Sequence, residues 1–121
     1  TVAEFVHDAT VGVICRYQGI DNYYGFGVAY DGWTIIYKQL NGNFMELYGD
    51  YNQGVLGAGD NYIVGSCVED TLTLMVNGEI IATVNDGDLL SGDGGLISMS
   101  YKDAPVSVQF KNFMIFPVNL D

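Results

Sequence analysis

The sequence predicts an all-β chain folded as an antiparallel β-sandwich. Three observations carry that expectation. β-formers dominate, with nine Tyr and six Phe beside many Val, Ile and Thr, and no stretch has helical periodicity. Sixteen glycines punctuate the chain at short intervals. Strand-like runs alternate with turn signals at the spacing of a sandwich or barrel.

Strands are expected at residues 11–18, 24–30, 33–39, 43–48, 62–68, 71–76, 79–84, 95–101 and 106–116. Loops are expected at 19–22, 50–61, 85–94 and 102–105. Asp31-Gly32, Asn41-Gly42 and Asn77-Gly78 each stand between two strand-like runs. A type I′ turn needs positive φ at both central positions, which Asn-Gly and Asp-Gly supply at little cost. Residues 24–48 therefore read as a three-stranded meander and 71–84 as a hairpin.

Alternation assigns the faces. Leu72, Leu74 and Val76 oppose Thr71, Thr73 and Met75. Val11, Val13, Cys15 and Tyr17 alternate with Ile14, Arg16 and Gln18. Tyr24, Phe26, Val28 and Tyr30 make a bulky face, and Tyr23, Gly25, Gly27 and Ala29 make one that is almost bare. A bare face admits a close neighbour, whether a ligand, another backbone or a covering loop.

A chain of 121 residues fits one domain and can bury a core without metal or dense disulfides. Its apolar runs fall short of the ~18 residues a membrane helix requires, and the opening residues Thr1 to Val6 lack the basic and apolar regions of a signal peptide. Lys and Arg total 4 against 15 Asp and Glu, a net charge of −11. Nucleic acids and anionic membranes need basic side chains, so neither is an expected partner. Charged residues make up 16%, against about 25% in ordinary domains. A surface completed by Tyr, Asn, Gly, Ser and Thr suits sugar or subunit contacts.

The catalytic inventory is thin. His7, the sole histidine, sits beside Asp8 and reads as a solvated surface residue. There is no Gly-x-Ser-x-Gly elbow and no zinc-spaced Cys/His cluster. Glycoside hydrolysis uses two facing carboxylates. Glu46 stands alone in its strand, and the adjacent Glu69 and Asp70 would point to opposite faces of one. No enzyme and no catalytic residue is expected.

Asp86, Asp88 and nearby Asp93 offer oxygen ligands for calcium in a spacing unlike an EF-hand, and they also suit turns. No other cofactor is expected. Arg16 and Lys38 fall on strands, alternating with Ile14 and Ile36. Two readings stay open for them. One is a structural ion pair or a snorkelling chain. The other is a shallow ligand face, where Arg16, Gln18 and Lys38 contact hydroxyls while Tyr23 or Trp33 stacks on a sugar ring. Trp33 equally fits a core position.

Val13 to Gln18 followed by Asp21 to Tyr24, Leu72 to Gly78, Ser91 to Ile97, and Val108 to Phe113 occur in order. Together they resemble concanavalin A-like jelly-roll sandwiches of the laminin-G-like and 3-keto-disaccharide-hydrolase-like type. That resemblance implies a secreted or cell-surface location and recognition of carbohydrate or protein. Such domains usually carry several strands before the Cys-Arg-Tyr-Gln segment, and here only residues 1–6 precede it. The chain is then a fragment, a shorter sandwich, or a fold completed by a neighbouring strand. The last alternative implies a homo-oligomer or a structural subunit of an extracellular filament.

The extracellular setting also implies a disulfide between Cys15 and Cys67, the only cysteines. It would close a loop of about 50 residues, which the chain-entropy model values at roughly 4 kcal/mol. Two buried thiols are the alternative.

Overall fold

The computed structural model describes residues 2–4, 9–29, 31–52, 54–57, 60–100 and 109–111. These residues form two antiparallel sheets and no helix. The strands are β1 (Val2–Glu4), β2 (Ala9–Tyr17), β3 (Tyr23–Ala29), β4 (Trp33–Leu40), β5 (Asn43–Tyr51), β6 (Asn61–Val68), β7 (Thr71–Val76), β8 (Glu79–Asn85), β9 (Asp93–Ser100) and β10 (Gln109–Lys111). One sheet has the order β10-β1-β6-β7-β8, and the other β5-β4-β3-β2-β9. No helix among the described residues is long and apolar enough to cross a membrane.

The turn chemistry explains the hairpins. Asn41 and Gly42 have φ of 52° and 81°, and Asn77 and Gly78 have 50° and 85°. Both pairs therefore have the positive φ a type I′ turn demands. Asp31-Gly32 differs. Only Gly32 is in the positive-φ region (93°), and its N–H donates to Ala29 O at 3.0 Å. That hairpin is longer than the two-residue turn expected.

The core lies between the sheets. Val11, Val13, Tyr24, Phe26, Val28 and Ile36 project from one, and Ile63, Leu72, Leu74 and Val76 from the other. Val55 and Leu89 close the layer from loops. Each large aliphatic or aromatic side chain buried here stabilises the fold by roughly 1.5–3 kcal/mol. Cys15 and Cys67 form a disulfide across this layer, with Cα atoms 6.6 Å apart. It joins β2 to β6, strands of facing sheets rather than neighbours in one sheet.

Residues 2–4, where no strand was expected, form β1 between β10 and β6. Within the expected strand 106–116 only Gln109–Lys111 is described as a strand. His7, the expected loop at 102–105 and the rest of that strand lie outside the described residues.

The sparse face of β3 is covered from within its own sheet. A Cβ on Gly25 would fall onto the ring of Tyr37, which belongs to the adjacent β4. Tyr37 is fully buried and joins Tyr23 and Ile35 in a second apolar cluster, packed by Ile14, Tyr17, Trp33 and Ile97. This cluster lies on the outer face of the β5-β4-β3-β2-β9 sheet.

Candidate functional site

A bulge in β5 builds the site. Ile36 pairs with Tyr48 but Tyr37 pairs with Glu46, leaving Leu47 as an extra residue. A bulge of this kind reverses side-chain alternation beyond it. Unbroken alternation would group Glu46 with Tyr48 and Asp50. The structure instead places Glu46, Gly49 and Tyr51 on the outer face, opposite Tyr37, Ile35 and Trp33 respectively.

Trp33 and Tyr51 meet with ring centroids 4.9 Å apart and planes at 60°. Gly49, two residues before Tyr51 on β5, turns a bare Cα to the same face. A Cβ there would sit 2.6 Å from Glu46 Oε1 and 2.7 Å from Trp33 Cζ2, so carboxylate and indole converge over the glycine. Tyr51 is 58% exposed, Glu46 is exposed and Trp33 is half-buried. Among the described residues, neither the Glu46 carboxylate nor the Trp33 indole N–H has a hydrogen-bond partner. Both aromatic residues are anchored through their backbones. The Trp33 N–H donates to Asp31 Oδ1 at 3.1 Å, and the Tyr51 N–H donates to Asp50 Oδ1 at 2.8 Å.

A row of aromatic residues continues along the sheet, with Tyr37 and Tyr23 buried in it. Phe44, 52% exposed, stands 5.0 Å from Tyr37, which meets Tyr23 edge-on at 5.8 Å. Tyr17 lies 5.8 Å beyond Tyr23. An aromatic face offers negative charge above the ring, which suits the polarised C–H side of a sugar or a cation.

The five residues expected to form one ligand face are dispersed. Tyr23 and Trp33 share the outer face but stand at opposite ends of it, and Tyr23 is buried. Arg16 falls in a second bulge, between Ile14 and Tyr17, with φ of 54°. That takes it out of alternation with Ile14. Its Nη1 donates to Glu69 O and, at 3.0 Å, to Leu89 O. Gln18 Nε2 donates to Ser91 O at 2.7 Å. Arg16 and Gln18 thus pin the loop before β9 and make no hydrogen bond toward the Trp33 end.

Lys38 projects into the opposite, inner side, beside Ile36 and Tyr24. Its Nζ lies 2.6 Å from Asp86 Oδ2 and 2.5 Å from Asp88 Oδ2. Asp86 also accepts from Tyr24 Oη at 2.5 Å and from the Asp88 N–H at 3.1 Å, while the Leu89 N–H donates to Tyr24 Oη at 3.1 Å. Hydrogen bonds to Asp86 and Asp88 raise the Lys38 pKa above its ordinary value. Burial alone would raise Asp86, but Lys38, Tyr24 and the Asp88 N–H together hold it below the usual range. Burial and the Asp86 bond push Tyr24 up to about 12.

The carboxylates considered for calcium are therefore engaged by an ammonium group and by a turn. Asp93 begins β9 opposite Tyr17. Among the described residues no group of three or more His, Cys, Asp or Glu is arranged to hold a metal. Glu69, with φ of 53°, and Asp70 form the β6–β7 turn.

Tyr51 was missed because residues 50–61 read as a loop. Glu46 was weighed only as half of a hydrolytic pair. The adjacent apolar residues Leu47 and Tyr48 are the single sequence sign that alternation slips there.

No protein-family model matches the chain, and no curated protein matches it by sequence. Among solved structures it is similar to the carbohydrate-binding module CBM66 from Bacillus subtilis. The TM-score is 0.75 at 14% sequence identity, over 92% of this chain and 68% of that one. At that identity the likeness establishes a shared sandwich fold.

Proposed function

We propose that the chain is a non-catalytic carbohydrate-recognition domain of an extracellular protein. The observation that carries the reading is the outward-facing notch of Trp33, Tyr51 and Glu46 over Gly49. Sugar recognition needs an apolar platform with a few polar groups fixed beside it. Trp33 and Tyr51 supply the platform, and the Trp33 indole N–H and Glu46 supply a free donor and acceptor. The fold shared with a protein described as a carbohydrate-binding module supports the same reading. Hydrolysis would need a second carboxylate set across a cleft from Glu46. Here Glu46 acts as a hydrogen-bond acceptor and a charge, not as a base. The Cys15–Cys67 disulfide favours an oxidising, extracellular setting.

The test is calorimetric titration with a panel of soluble oligosaccharides, comparing the wild type with Trp33→Ala and Tyr51→Ala. Binding of at least one oligosaccharide that weakens about thirtyfold or more in Trp33→Ala supports the reading, the loss expected of a central aromatic anchor. Absence of binding across the panel overturns it.

A further inference from the structure

The charge around the notch points to a narrower ligand class. Glu46 converges with the Trp33 indole over Gly49 and has no ion pair or hydrogen bond among the described residues. Asp31, whose carboxylate accepts from the Trp33 backbone N–H, adds a second carboxylate at the Trp33 end of the strand pair. The sequence contains 4 basic residues, and the two whose side chains are described are occupied elsewhere. Arg16 holds Glu69 and Leu89, and Lys38 holds Asp86 and Asp88 on the inner side.

A neutral sugar would use the ring faces and gain from Glu46 only a hydrogen bond. A cation placed between Glu46 and a ring face satisfies both. It pairs with the carboxylate and lies within the ~6 Å of a ring centroid over which cation–π attraction acts. The rings, 60° apart in plane, form a corner and not a slot. One ring can underlie a sugar's C–H face while its amine turns toward Glu46.

We infer that the Trp33–Tyr51–Glu46 notch selects an amine-bearing sugar, a hexosamine oligomer with protonated amino groups, and that Glu46 reads the charge. This rests on the carbohydrate reading above. The aromatic corner beside the carboxylate favours a sugar over a flexible cationic peptide, because two ring faces match the two C–H surfaces of successive pyranoses.

The experiment measures affinity for β-1,4-linked glucosamine oligomers, their N-acetylated counterparts and glucose oligomers of equal length. Each is titrated into the wild type and Glu46→Gln, with oligolysine as a further arm. Glu46 is exposed, so the variant is expected to fold; thermal unfolding of both proteins confirms it. The expected result is roughly tenfold tighter binding of the glucosamine oligomer by the wild type. That preference should shrink with added salt, vanish once pH rises above the amine's pKa, and be absent from Glu46→Gln, which binds charged and neutral oligomers alike. Equal affinity for charged and neutral oligomers in both proteins overturns this inference and leaves carbohydrate recognition standing. Oligolysine binding without amino-sugar binding also overturns it. If no oligosaccharide binds at all, the carbohydrate reading itself fails.

Discussion

The Lys38 ammonium lies 2.6 Å from Asp86 Oδ2 with both side chains about nine-tenths buried, at the point where the loop after β8 crosses the inner face of β4. Removing one partner of a buried pair leaves the other desolvated and unpaired. Lys38→Met should therefore destabilise the fold by about 3 kcal/mol. Asp88, half exposed, should matter much less, and Asp88→Asn should cost under about 1 kcal/mol. Urea unfolding of the two variants checks the ranking.

The same cluster makes stability fall at alkaline pH. Tyr24 has a folded pKa of about 12 against about 10 in the unfolded chain, so its contribution is complete below pH 10 and is lost as pH rises toward 12. Two units correspond to roughly 2–3 kcal/mol. Lys38, also raised, adds a loss in the same direction above its unfolded value. Asp86 is depressed, so its contribution is present above the unfolded carboxylate value and disappears as pH falls through its lower folded value. Unfolding free energy measured from pH 9 to 12 should decline in the wild type and decline less in Tyr24→Phe.

The disulfide closes a segment with a sequence separation of 52. The chain-entropy model assigns such a loop about 4 kcal/mol. The Cys15→Ser/Cys67→Ser double variant should lose stability on that scale. Mass spectrometry of the unreduced, alkylated wild type should show no modified thiol.

Much of the sandwich was legible because its signals are local. Asn41-Gly42 and Asn77-Gly78 dictate their hairpins through φ alone, and Leu72, Leu74 and Val76 mark an inner face by strict alternation. The candidate ligand surface was less legible because bulges break alternation. Leu47 moves Tyr51 to the face of Glu46, and the bulge at Arg16 removes that residue from the face of Ile14. Lys38 was correctly placed beside Ile36, but its partners lie 48 and 50 residues away, a separation no local pattern reveals.

A substitution at Gly49 separates the proposed ligand recognition from folding. An added methyl would displace the exposed Glu46 carboxylate and the edge of the half-buried Trp33 indole. Gly49→Ala should leave stability within about 1 kcal/mol of wild type and weaken sugar binding roughly tenfold. A thermal melt paired with a binding isotherm on the same sample checks both halves.

Binding of oligosaccharides to the wild type and to Trp33→Ala, side by side in a calorimeter, tests the central claim most directly. The account predicts saturable binding by the wild type and a loss of about thirtyfold or more in the variant, with both proteins folded. Equal binding by both proteins would contradict it, placing recognition away from the outer face of β4 and β5.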